Sequence, residues 1–70
     1  MKRYYTLYGR VDKKDFYVNK KFKTRDQAIE AALRLLPFNS QVEEETELKD
    51  HVIEYKCNTY TRFTVARQFA

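Results

Sequence analysis

Two stretches near the N terminus alternate apolar and polar residues with a period of two. Over residues 4 to 11, Tyr5, Leu7, Gly9 and Val11 fall on one side and Tyr4, Thr6, Tyr8 and Arg10 on the other, the pattern of a strand with one buried face. Residues 16 to 22 repeat the alternation after Asp12-Lys-Lys-Asp15, which reads as a four-residue turn. That loop length sets Val11 opposite Phe16, Gly9 opposite Val18 and Tyr5 opposite Phe22, so both apolar rows share one face. Lys20 interrupts the row beside Leu7; its stem either snorkels past the edge of a covering helix or marks a shifted register. Gly9 reads as room for Val18 or as a bulge rather than as a ligand contact.

The period then changes. In Phe22-Lys-Thr-Arg-Asp-Gln-Ala-Ile29, Thr24 is placed as a helix N-cap, Gln27 as its capping-box partner and Asp26 in the first turn, facing the positive end of the helix dipole. From Arg25 to Leu36, Ile29, Ala32, Leu33 and Leu36 recur at i, i+3, i+4 and i+7, with Ala28 and Leu35 widening the stripe, as in an amphipathic helix packed on a sheet. Pro37 ends it, because a residue before proline is pushed out of the helical region, and Phe38 is expected to fold back over the open end of the core.

Residues 39 to 50 support three readings. Val42, Thr46 and Leu48 suit a short strand, Ser40 with Glu43 mimics a second capping box, and the packed like charges suit a loop. From His51 alternation returns: Ile53, Tyr55 and Cys57 inward, a turn at Asn58-Thr-Tyr-Thr61, then Phe63, Val65 and Phe69 inward. The whole is one α+β domain over residues 1–70, ββαββ or, with a strand in 41–48, ββαβββ, its helix on one face of a mostly antiparallel sheet.

At 70 residues the core is small, and six Tyr and five Phe with no Trp make it aromatic. One Gly and one Pro argue against disorder or low complexity. The lone Cys57 has no partner for an internal disulfide, which points to a reducing compartment. With no long apolar run and no apolar stretch after Met-Lys-Arg-Tyr-Tyr, the expectation is a soluble, cytoplasmic protein without membrane contact. Chains this short and motif-free are typical of bacterial or mobile-element reading frames.

The net charge of +4 is unevenly spread. Glu43, Glu44, Glu45, Glu47 and Asp50 against Lys49 give residues 41 to 50 a local −4, so the other sixty residues carry +8. A basic body with an acidic segment can attract an acidic partner at one place and repel it at another.

The one candidate functional surface follows from strand parity. If the helix covers one face, the other shows Tyr4, Thr6, Tyr8, Arg10, Tyr17, Asn19, Lys21, Lys56, Arg62 and Thr64, with rings interleaved among cations. Nucleic-acid binders use this combination because cations neutralise phosphates while flat rings stack on unpaired bases. Tyrosine is also a good strand former, and Tyr to Arg or Lys pairs stabilise sheets with no ligand at all.

Within this basic region, Lys20-Lys-Phe-Lys-Thr-Arg-Asp-Gln-Ala-Ile29 resembles the strand-to-helix junction of the arm-type DNA-binding domains of phage integrases, which lay a three-stranded sheet on DNA. The likeness covers about ten of the 70 residues. It consists of a basic strand end and a capping box, a local solution that unrelated folds share. The acidic segment and second hairpin depart from that pattern.

Other chemistry finds little support. The acidic segment lacks the ordered spacing and glycine bend of a calcium loop, one histidine, His51, offers no imidazole pair for zinc, and Cys57 has no neighbouring thiol or helix start to activate it. Roughly 20 Å of strand separates His51 from Cys57. No phosphate loop or nucleophile motif occurs. The expectation is a non-enzymatic protein without metal or cofactor. Its partner would be another macromolecule or a second copy of itself, as a homodimer stacking Tyr4, Tyr8 and Tyr17 or through edge-strand pairing. The alternative is a nucleic-acid accessory using the basic Tyr/Arg face.

Overall fold

The computed structural model of the protein describes residues 2–36 and 41–69. In chain order the elements are β1 (Arg3–Val11), β2 (Lys14–Phe22), α1 (Arg25–Leu35), β3 (Glu44–Lys49), β4 (Val52–Asn58) and β5 (Thr61–Phe69). The strands form one antiparallel sheet in the order β2-β1-β5-β4-β3, and α1 lies over the β2-β1-β5 half. The architecture is thus α+β in the longer, ββαβββ form. Its first and last strands pair at the centre, in unbroken register from Arg3↔Phe69 to Val11↔Thr61.

Helix α1 starts where its capping residues place it. The Gln27 N–H donates to Thr24 Oγ1 at 3.2 Å, and Gln27 Oε1 accepts from the Lys23 N–H at 3.2 Å, one residue earlier than in the usual reciprocal box. Leu36 is extended (φ −79°, ψ 157°), as a residue before proline must be, and its N–H still donates to the Ala32 carbonyl at 3.1 Å. Ala28, Ala32 and Leu36 are buried, with Ile29, Ala31 and Leu33 packed partly against the core. Leu35 corrects the expected stripe: it is 62 % exposed. Rotation does not explain this, since at about 100° per residue Leu35 sits only about 20° from Ala28 around the helix. Position does. Leu35 is the last helical residue and forms the rim of an open groove against Val11, Phe16 and Val18.

The core joins α1 to the middle strands. Leu7 and Phe63 are fully buried, and Tyr55 stacks on Phe63 with ring centroids 5.1 Å apart. Ile53, Tyr55 and Cys57 point inward as their alternation requires. Phe69 does not. It is exposed at the far end of β5, opposite Arg3, where the Arg67 guanidinium lies 5.2 Å from its ring.

The first hairpin turns in two residues, where the sequence suggested four. Asp12 and Lys13 both have positive φ (48° and 72°), and the pairs are Val11↔Lys14, Gly9↔Phe16 and Leu7↔Val18. Left-handed conformations at both central positions define the tight hairpin turn whose twist matches the strands. The two-residue register shift leaves every side chain on its expected face, because faces repeat with period two. Tyr5↔Phe22 survives through an irregularity in which β2 holds two extra residues between Val18 and Phe22. Lys20 falls inside it, with Nζ 5.5 Å from the Phe22 ring, so the interruption in the apolar row is a local departure from the ladder. Gly9 accommodates Phe16, not Val18: a Cβ there would stand 2.7 Å from the Phe16 ring and 2.5 Å from the Arg62 carbonyl.

The last hairpin closes at Thr59-Tyr60, where Asn58 Oδ1 accepts the Tyr60 N–H at 2.8 Å, the local bond that makes asparagine a turn residue. Strand β3 is an edge strand whose every residue is exposed. The expected place of Phe38 lies outside the described residues.

Candidate partner-binding face

Opposite α1, the even-numbered residues of β1 and their cross-strand partners make a second face on which, among the described residues, no element packs. Two rows organise it. The first runs Asp15, Arg10, Arg62, Lys56, Glu44 across β2, β1, β5, β4 and β3. The second runs Tyr17, Tyr8, Thr64, Glu54, Thr46 in the same order. Adjacent strands lie about 4.8 Å apart, so Arg10, Arg62 and Lys56 are three successive cationic neighbours with two tyrosines alongside.

The face is shaped as well as charged. Thr64 and Ala66 on the central strand are buried, although they point away from the helix. Larger neighbours shield them: Tyr8 and Thr6 on the β1 side, Glu54 and Val52 on the β4 side. Thr6 Oγ1 also donates to the Ala66 carbonyl at 3.3 Å. On this face β5 thus presents small residues flanked by larger ones, with Arg62 toward one end. Tyr8 is 40 % and Tyr17 64 % exposed, so both rings can be reached.

Arg10 Nε lies 3.0 Å from Asp15 Oδ1 in an exposed cross-strand ion pair, which orients the guanidinium and, in water, adds little stability. Among the described residues Arg62 and Lys56 have no such acid partner within salt-bridge distance. Tyr4 pairs with Gln68, and Lys21 Nζ lies 4.8 Å from the Tyr4 ring, a cation–π contact that draws both toward the β2 end of the face. Asn19 is exposed in the irregular part of β2, beyond the regular ladder. The structure therefore joins Tyr8, Tyr17, Arg10, Arg62 and Lys56 into one patch, sets Tyr4 and Lys21 beside each other at its edge, and leaves Asn19 apart.

The sequence reading missed Asp15, Glu44, Glu54, Lys13, Thr59 and Tyr60 around this patch. Asp15, Glu44 and Glu54 bring acid to it; Asp15 would have been found from a two-residue turn. Lys13 and Tyr60 line a recess with Arg10, Thr59 and Arg62 at the end of the cation row. No sequence signal places them there. The Asp12 N–H donates to the Tyr60 carbonyl at 2.8 Å, tying together the turns of two hairpins distant in sequence.

Residues that could react are arranged otherwise. Cys57 is buried, and burial, followed by the nearby Glu43 charge, raises its thiol pKa above the ordinary thiol value, which disfavours the nucleophilic thiolate. Tyr55 is raised above 10.0, chiefly by burial and then by Glu45, its cross-strand partner. Its buried hydroxyl makes no hydrogen bond of good geometry among the described residues, and the Glu45 carboxylate is the one side chain near enough to act as an acceptor. His51 stands in the β3–β4 turn with φ 60°, at the opposite end of β4 from Cys57. Among the described residues no three His, Cys, Asp or Glu side chains converge as metal ligands, and no helix is long and apolar enough to cross a membrane. Comparison with family models, curated proteins and solved structures gives no match to this chain.

Proposed function

We propose that the protein is a non-enzymatic interaction module that receives an acidic macromolecule on its open sheet face, with Arg10, Arg62 and Lys56 at the centre of the contact. The observation that carries this reading is the cationic row itself. Like charges directly opposite on neighbouring strands destabilise a sheet, and a partner's anionic groups would offset that repulsion.

A second reading, nucleic acid as the partner, is favoured by the Tyr8–Tyr17 pair next to the cations. Exposed rings add stacking to phosphate neutralisation, worth about 1 to 3 kcal/mol per stacked base. Fluorescence titration with labelled single-stranded oligonucleotides, duplexes and polyglutamate, each at low and high salt, separates the two. An acid-binding face takes up at least one polyanion at low salt and releases it as salt rises. Arg62→Ala weakens all ligands, whereas Tyr8→Ala weakens the single-stranded oligonucleotide alone if bases stack. Failure of every polyanion to bind at low salt overturns the proposal. Indifference to Arg62→Ala removes this face from it.

A further inference from the structure

The sheet has two open edges with opposite charge. Strand β2 carries Lys14, Lys20 and Lys21 against Asp15, and beside it on the helix side runs a groove whose charged lining includes Lys20, Lys23 and Arg34, with Glu30 as its one acid, while the Lys21 ammonium lies over Tyr4 on the other face. Strand β3 carries Glu44, Glu45 and Glu47 against Lys49, with every residue exposed. An edge strand turns unpaired N–H and C=O groups outward and templates a further strand, and edge charges normally prevent this. Here the charges prevent two of the three possible pairings and leave the third. Two β2 edges repel each other, as do two β3 edges, while β2 and β3 attract.

We infer that the protein associates head to tail, with β3 of one copy added to β2 of the next. This rests on the reading of the chain as an interaction module but uses the sheet edges in place of the face. The side chains match as well as the net charges. Glu45 and Glu47 pair with Tyr55 and Ile53, whose side chains point to the helix side, so they share that side. In a sheet continued with its helices on one side, they meet the basic groove along β2. Strands β2 and β3 run in the same direction within the antiparallel sheet, so the new pair is parallel. The contact is heterologous, and it builds rings or open chains instead of a two-fold dimer.

Sedimentation equilibrium over a concentration series tests this with two charge-reversed proteins, Lys20→Glu/Lys23→Glu and Glu45→Lys/Glu47→Lys. The unmodified chain is expected to rise above its 8.5 kDa monomer mass with concentration, and to fall back as salt increases. Each variant alone is expected to stay monomeric, since the helix-side groove along β2 and the residues at positions 45 and 47 that would meet it now carry the same sign. An equimolar mixture of the two is expected to associate again, which also shows that both are folded. A monomeric unmodified chain at millimolar concentration and low salt overturns the inference, as does a variant that associates like the unmodified chain or a mixture that stays monomeric. Tyr8→Ala/Arg62→Ala separates edge from face: unchanged association supports the edges, and its loss moves self-association to the sheet face and overturns the edge assignment. A monomeric chain that still binds polyanions would leave the face proposal standing.

Discussion

At Gly9 a single carbon atom decides whether two strands and a ring fit together. A methyl group there would collide with the Arg62 carbonyl and the Phe16 ring, and the carbonyl belongs to a central ladder with little freedom to move. Gly9→Ala is therefore expected to destabilise by about 1 to 3 kcal/mol, the usual cost of overpacking, seen as a lower urea midpoint with an unchanged m-value. Tyr55 shows a different situation, a buried hydroxyl with no well-formed hydrogen bond and only the Glu45 carboxylate near it. Tyr55→Phe removes this poorly satisfied hydroxyl and keeps the ring on Phe63, so stability is expected to change by less than about 1 kcal/mol in the same measurement. The raised pKa values of Cys57 and Tyr55 have a defined sign. The folded state holds both protons more tightly than the unfolded chain, so their contribution is complete below the unfolded values, about 8.5 for Cys and 10 for Tyr, and is lost as pH rises through the folded ones. Thermal unfolding between pH 8 and 11 should show this alkaline loss, and Tyr55→Phe should reduce its upper part.

Among the elements, the β1–β2 hairpin and α1 show how local signals succeed and fail. Thr24, Asp26, Gln27 and Pro37 fixed the ends of α1, because caps act within one turn and need no distant partner. Thr24→Ala is expected to cost about 1 kcal/mol, measured as a lower thermal midpoint. The hairpin carries weaker local signals. Asp12 and Lys13 give no Asn-Gly or Asp-Gly signal, yet both adopt left-handed conformations, each at about 1 to 2 kcal/mol for a side-chain-bearing residue. Asp12→Asn/Lys13→Gly, matching the residues this turn prefers, is expected to stabilise by about 1 kcal/mol in urea unfolding. Strand β3 could be read only as one of three options. With all its side chains in water, it has no apolar alternation, and its pairing to β4 alone makes it a strand.

For the whole molecule, the decisive event is the insertion of β5 between β1 and β4. It sets Arg62 between Arg10 and Lys56, brings the two hairpin turns together, and leaves β2 and β3 as the edges. Charges that look scattered in the chain become a cationic row, a basic edge and an acidic edge. Sheet integrity also rests on this strand. Phe63→Ala removes a fully buried ring at an expected cost of about 3 to 5 kcal/mol, comparable with the net stability of a domain this small. Circular dichroism should find that variant largely unfolded at 37 °C.

By itself the sequence determined the α+β class, the limits of the helix, the inward row of Leu7, Ile53, Tyr55, Phe63 and Val65, and the face on which Tyr8, Arg10, Tyr17 and Arg62 lie. These depend on period and capping, which act over a few residues and survive a register error of two. Strand order, the two-residue turn, the exposure of Leu35 and Phe69, and the meeting of Lys13 with Tyr60 were decided only in the tertiary structure. Each depends on which strands lie side by side and where the helix ends over them, a choice made by pairing and packing between segments far apart in the chain.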